Sequence, residues 1–254
     1  MGPEDLRLDA VLSSARHAKY LAAANADAGR AARLFAWNCR LSAAYWPSIA
    51  LVEMAVRNTI NTRLCASLGV APATGWHVDA LGDRPRLHLL DKDLDKVRSA
   101  IDAFARRRGR RPTVPTGDDV VGGTSLGLWV ALCGEGIPRH STLDYHRSLW
   151  RGRKLWLAFP NYAKWLSERG ERKVDPADNP GPLRGALRDF EFLRNRIAHH
   201  EPIYSLSHAY HRDNIGELAG LIDPALRAYI ASSEQVTSVC ADYQESVLAG
   251  DRTR

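Results

Sequence analysis

The sequence predicts an all-α protein, and three observations carry that prediction. Apolar residues recur at helical spacing along almost the whole chain. Alternating strand patterns are nearly absent, and only two stretches hold enough Gly and Pro to interrupt the helical pattern for long. With 254 residues, 45% hydrophobic and 25% charged, the chain is long enough to bury a core. That composition excludes a disordered chain, a collagen and a disulfide-stapled miniprotein.

The elements follow in order. Ala28–Leu68 consists of good helix formers broken only by Pro47, whose ring suits the first turn of a new helix after a short break. Residues 89–108 read as an amphipathic helix with Leu90, Leu94, Val97, Ile101 and Phe104 on one stripe. Residues 109–123, rich in Gly, Pro and Thr, are the best candidate for a loop or joint. An apolar segment, Leu126–Leu132, precedes a Trp- and Arg-rich stretch at 149–165 and a second loop at 170–181. Three further helices are expected at 180–200, 204–221 and 224–248. The loops divide the chain into an N-terminal half, 1–110, and a C-terminal half, 118–254, expected to pack as one unit.

Charge and cysteine usage narrow the setting. The formal net charge of +6 favours a polyanionic partner over a cationic one, and the skew to 29 Arg against six Lys adds little, since genome composition alone can produce it. Cys39, Cys65, Cys133 and Cys240 never approach a zinc-knuckle or redox spacing and fit a reducing compartment. The acidic start Met1-Gly2-Pro3-Glu4-Asp5 leads into no signal-length apolar core, and the longest apolar stretch, 49–56, is broken by Glu53. A cytoplasmic chain with no membrane span is expected.

The strongest constellation ends the helix at 180–200. There Leu183, Leu187, Phe190, Leu193 and Ile197 form an apolar stripe, while Glu191, Asn195 and His199 form a polar line at i, i+4 and i+8. Arg194 falls within the apolar stripe, an expensive place for a charge without a partner. His199 and His200 occupy the last turn, where unpaired carbonyls favour positive charge. An arginine and a titratable imidazole suit cleavage of an RNA phosphodiester. The imidazole moves protons at the 2′-hydroxyl and the leaving 5′-oxygen, and the guanidinium stabilises charge on the phosphorane. Arg-to-His pairs at this spacing are as frequent as 29 Arg and nine His produce by chance, so the weight lies on the longer string.

Competing signals are weaker. His208 and His211, at i, i+3 with Glu201 nearby, offer a conceivable metal site, but no further ligand pattern supports one and none is expected. Gly123-Thr124-Ser125-Leu126-Gly127 satisfies Gly-x-Ser-x-Gly, yet no strand precedes it, and a turn with Thr124 or Ser125 as helix cap explains it better than a hydrolase elbow. Arg107, Arg108, Arg110 and Arg111 close a helix and open a loop; they read either as a solvated helix end or as an RNA-backbone funnel helped by Arg151, Arg153 and Lys154. Trp37, Trp46 and Trp129 are expected in the core, and Trp150, Trp156 and Trp165 stand in basic surroundings where stacking on bases is an alternative. Glu53-Met54-Ala55-Val56-Arg57-Asn58 weakly echoes Glu191-Phe192-Leu193-Arg194-Asn195, no better than coincidence.

The string Arg194-Asn195-Arg196-Ile197-Ala198-His199-His200-Glu201-Pro202-Ile203 closely resembles the signature of the Abi-like (abortive infection) proteins of the HEPN superfamily. Leu51-Val52-Glu53-Met54-Ala55-Val56-Arg57-Asn58 resembles that family's N-terminal helix, and Thr124-Ser125-Leu126-Gly127-Leu128-Trp129 its Leu-Ser-Phe-Gly-Phe-Trp box with two substitutions. Leu149-Trp150 and Ala158-Phe159-Pro160 match its Leu-Trp and Phe-Pro positions.

The resemblance implies an HEPN-like helical bundle with additional N-terminal helices. It also implies a metal-independent, cofactor-free endoribonuclease of phage defence or a toxin–antitoxin system. The family's Arg, its following polar residue and its His map onto Arg194, Asn195 and His199. Arg194 is then expected at the scissile phosphate, His199 in proton transfer and Asn195 as an orienting group, with Glu191 and His200 in support. A homodimer with a composite site, an RNA substrate and an antitoxin or inhibitory partner are implied as well. Some HEPN proteins have lost catalysis, so the alternative is a non-catalytic module that binds RNA, nucleotide or an antitoxin.

Overall fold

The computed structural model describes residues 2–108, 114–170 and 174–248. Among them there is no strand, only one isolated bridge between Gly136 and Asp144, and the regular structure is helical. Helices α1 (Leu8–Val11) and α2 (Ser14–Ala23) lead into α3 (Ala28–Leu68). Then come α4 (His77–Ala80), α5 (Asp91–Arg108), α6 (Gly117–Gly123), α7 (Leu126–Leu132), α8 (Tyr162–Glu168) and α9 (Gly181–Ala198). The order closes with α10 (His208–Ile222), α11 (Pro224–Ser233) and α12 (Val236–Ala241). No described helix is long and apolar enough to cross a membrane.

The chain groups into two compact units, each assembled from more than one segment. The first takes residues up to Ala50, Phe192–Ile215 and those from Tyr229 onward. Its core holds Leu34, Trp37, Leu41, Tyr45 and Ile49 of α3, Leu193 and Ile197 of α9, and Ile203, Ile215, Ile230 and Val236. Buried polar groups are matched: Asn38 Oδ1 accepts from the Ile203 amide at 2.8 Å, and Trp37 Nε1 donates to the Val239 carbonyl at 2.9 Å. The second unit comprises Leu51–Glu191 and Gly216–Ala228. Trp76 and Trp129 meet edge to face there, as do Trp150 and Tyr162, and Leu155, Phe159, Leu183, Leu187 and Phe190 are fully buried. Asp93, with no exposed surface, is neutralised by Lys96 Nζ at 3.0 Å and accepts from the Tyr145 hydroxyl at 3.0 Å.

Several expectations change on folding. α3 runs without a break through Pro47, which is an interior proline rather than the start of a new helix. The missing N–H and ring clash cost about 3 kcal/mol. Burial of Leu41, Tyr45, Ile49 and Val52 on both sides, each contributing about 1.5–3 kcal/mol, outweighs that cost. The expected loop at 109–123 contains α6: Thr116 Oγ1 accepts from the Asp119 amide and Asp119 Oδ2 accepts from the Thr116 amide, a closed capping box. Its Gly117 is required by close approach, since a Cβ there would lie 1.9 Å from the Pro72 carbonyl oxygen. The single helix expected at 224–248 is three pieces, α11, α12 and a π turn Gln244–Leu248. Ser232 and Ser233 turn their hydroxyls back onto the Tyr229 carbonyl, and Glu234 takes the Thr237 amide at 3.1 Å, which ends one helix and begins the next. Trp37 and Trp129 are core as expected, but Trp46 is 46% exposed and Trp150 is buried.

Candidate functional site

The polar line of α9 is built by how that helix stops. Leu193 and Ile197 are buried, which turns Arg194 and Asn195 to half-buried positions and leaves His199 and His200 exposed. The helix ends in a Schellman motif: the His200 amide donates to the Ile197 carbonyl at 3.1 Å, and the Glu201 amide to the Arg196 carbonyl at 2.7 Å. His200 takes the left-handed conformation this motif demands, φ +55°, a place more often given to glycine. Pro202 follows and cannot continue the helix.

Two arginines pin this end. Arg16 of α2 donates from Nη2 to the His199 carbonyl at 2.9 Å. Arg196 donates to the Pro202 carbonyl, pairs with Glu201 at 3.4 Å, and rests over the Phe192 ring. The backbone of His199 is therefore fixed while its imidazole makes no hydrogen bond or ion pair among the described residues. Arg194 Nη1 donates to Asn195 Oδ1 at 3.2 Å. Arg194 and His199 are five residues apart, about 140° around a helix at 100° per residue, whereas Asn195 shares the face of His199. The half-buried Glu191 carboxylate stands over Gly127, where a Cβ would come within 2.8 Å of Oε1.

Ile197, Ala198 and His200 form one wall of a groove of about 770 Å³. The other walls are Phe35, Cys39, Ser42, Ala43 and Trp46 of α3, with Leu12, Arg16 and Tyr20 closing it. It is mostly apolar, with Arg16 and His200 at its edge. The sequence reading missed this groove by assigning Trp46 to the core. A signal existed: Phe35, Cys39, Ser42 and Trp46 recur at i, i+4, i+7 and i+11, a second stripe beside the core stripe of α3. Nothing local to Arg16 marks it as the residue that holds His199.

The remaining sequence candidates fall elsewhere. His208 is turned inward, its Nδ1 3.1 Å from the Tyr45 hydroxyl and its Nε2 buried without a hydrogen-bond partner; burial, then the neighbouring His211, pulls its pKa below the usual value. His211 stacks on Phe192. Among the described residues no three His, Cys, Asp or Glu side chains gather as a metal site would need. Ser125 is the N-cap position of α7 in extended conformation, and α6, not a strand, precedes it, so the hydrolase-elbow geometry is absent there. Arg107 is exposed at the end of α5; the side chain of Arg108, and Arg110 and Arg111 altogether, lie outside the described residues. Arg151 is paired with Asp178, and Arg153 is half-buried with its guanidinium donating to the Arg86 carbonyl. Glu53 and Arg57, the first copy of the weak echo, pair with each other, and Arg57 Nη1 also donates to the Val121 carbonyl at 3.2 Å.

No family model, no curated protein and no solved structure matches this chain.

Proposed function

We propose that this chain is an Abi-like, HEPN-type endoribonuclease that cuts RNA without a metal, by attack of the ribose 2′-hydroxyl on the adjacent phosphodiester. The observation that carries the reading is the end of α9, where a fixed backbone presents an unengaged His199 imidazole beside a hydrogen-bonded Arg194–Asn195 pair. A fixed backbone narrows the positions the imidazole can reach, which leaves less reorganisation for the moment of reaction. His199 transfers the proton between the 2′-hydroxyl and the leaving 5′-oxygen. Arg194 stabilises the phosphorane, Asn195 orients the Arg194 guanidinium, and Glu191 and His200 support them. The divergence of Arg194 and His199 around α9 favours a homodimer in which the Arg194 of one copy serves the His199 of the other. The apolar groove beside His200, with Trp46 exposed, suits stacking of a base next to the scissile bond.

Incubation of the purified chain with total RNA in EDTA tests this. Fragments ending in 2′,3′-cyclic phosphate or 3′-phosphate are expected. His199→Ala is expected to lower the cleavage rate by about 10²–10⁴-fold at unchanged melting temperature, and Arg194→Ala to act in the same direction. Intact RNA that is still bound tightly and equally by wild type and both variants would assign the chain to the non-catalytic RNA-, nucleotide- or antitoxin-binding class instead.

A further inference from the structure

The second unit contains a pocket of a different chemistry, far more polar than the groove beside α9. It has a volume of about 340 Å³ and is lined by the side chains of Arg86, His88, Ser141, Thr142, Ser148 and Arg153 over a floor of Leu149 and Gly152. Among the described residues no carboxylate lines it. The lining carries two arginines, a histidine and three hydroxyl residues, so the recess is positively charged; the Ser148 hydroxyl already donates to the Asp144 carbonyl at 2.8 Å, which leaves Arg86, His88, Ser141 and Thr142 as its donors beside the charge of Arg153.

The two arginines are held from behind. Arg86 Nε donates to Asp79 Oδ1 at 2.8 Å, while Asp79 Oδ2 takes the amides of Arg86 and Leu87 at 2.9 Å each. That arrangement fixes the guanidinium through Nε and leaves both terminal nitrogens without a partner among the described residues. Arg153 is anchored on its backbone by Arg63, whose Nε and Nη2 donate to the Arg153 carbonyl at 3.0 and 2.7 Å. Its guanidinium reaches the Ser67 carbonyl at 3.4 Å and the Arg86 carbonyl. Burial disfavours the cation of Arg153, an effect that the carboxylate of Asp79 opposes and the like charge of Arg86 adds to. An anion in the recess would relieve that penalty. Ser148 stands in the π turn His146–Arg151, and Gly152, whose amide donates to the Arg147 carbonyl at 2.9 Å, leads from that turn to Arg153; π turns recur at functional sites.

We propose that this pocket binds the terminal phosphoryl group of a small phosphorylated ligand. A carboxylate would be satisfied by the fork of Arg86 alone. The recess instead brings donors and positive charge from three chain segments, near 86–88, 141–142 and 148–153, which suits three oxygens on a tetrahedral centre. A volume of about 340 Å³ exceeds a bare phosphate and leaves room for the body of the ligand. The site is independent of α9 and does not rest on the ribonuclease reading.

Thermal denaturation and calorimetry of the full chain test it, with inorganic phosphate and adenosine 5′-diphosphate as probes, and chloride at matched ionic strength and adenosine as controls. Phosphate and the diphosphate are expected to raise the melting temperature saturably, while chloride and adenosine do not. Arg86→Gln with His88→Gln is expected to weaken binding at least tenfold; the unliganded melting temperature falls somewhat because Asp79 loses its ion pair, and the ligand-induced shift is read against that lower baseline. Arg86→Lys, which keeps the charge and loses the fork, is expected to restore only part of it. Equal responses to phosphate and chloride, or an unchanged response in the double variant, would overturn the proposal. So would binding confined to a single-stranded RNA oligonucleotide, which would make the recess part of an RNA track.

Discussion

Thr124 and Ser125 are adjacent hydroxyls with different partners. Thr124 is buried, donates to the Val121 carbonyl at 3.1 Å and accepts from Trp129 Nε1 at 3.0 Å. Ser125 sits at the N-cap of α7 without a side-chain cap bond. Thr124→Val is therefore expected to destabilise the fold by about 1–3 kcal/mol, because it leaves the Trp129 indole N–H unpaired in the core. Ser125→Ala is expected to stay within about 0.5 kcal/mol and to leave RNA cleavage unchanged. Urea denaturation of both variants checks the pair; a large loss on Ser125→Ala would give that hydroxyl a role not visible in its contacts. The sequence narrowed the cap to these two residues, because local composition marks a turn followed by an apolar helix. It did not distinguish them, because the Trp129 partner is set by packing. The same limit applies at α9. Arg194, Asn195 and His199 stood out as a string, whereas Arg16 is joined to His199 across 183 residues and Arg196 acts through a turn that forms only on folding.

At the scale of elements, helices announced by long, regular periodicity are found nearly as written: the one expected at 89–108 is Asp91–Arg108 and the one at 180–200 is Gly181–Ala198. Those that failed did so where side chains compete with the backbone. Gly-rich α6 exists because of its capping box, and the helix expected at 224–248 is cut by serine hydroxyls. Pro47 is the counterexample, a breaker overruled by burial on both sides of it. Pro47→Ala restores an N–H to the helix interior and removes the ring clash, while returning some freedom to the unfolded chain. The balance is a gain of about 2 kcal/mol. A shift of the urea midpoint upward is expected; a downward shift would mean that the ring is needed where it lines the groove.

At the scale of the molecule, each unit holds a histidine whose pKa is pulled down by desolvation: the half-buried His208 in the first and the buried His77 in the second. In the unfolded chain these rings take up protons near pH 6.5, and in the folded chain they resist doing so until lower pH. Their contribution is thus fully present above about pH 6.5 and is lost as pH falls from there through the folded values. Urea midpoints are expected to drop between pH 7.5 and pH 5.0, and His208→Gln, which keeps a partner for Tyr45, is expected to reduce that drop. A midpoint insensitive to pH over this range would contradict the burial of both rings. Neither histidine was marked as desolvated by its sequence, since its surroundings are set by packing: the first unit brings residues up to Ala50 together with Phe192–Ile215, and the second adds Gly216–Ala228 to Leu51–Glu191.

The left-handed backbone at His200 has a consequence for anyone improving this protein. A glycine there would adopt φ +55° with little strain, whereas a side chain with a Cβ pays about 1–2 kcal/mol for it. Selection for heat tolerance alone would therefore drift toward His200→Gly and would be rewarded for it, at the same stroke erasing one of two imidazoles at the end of α9. Position 200 is where a screen for robustness and a screen for RNA cleavage are set to disagree, and a library scored on both would separate the two demands at a single codon.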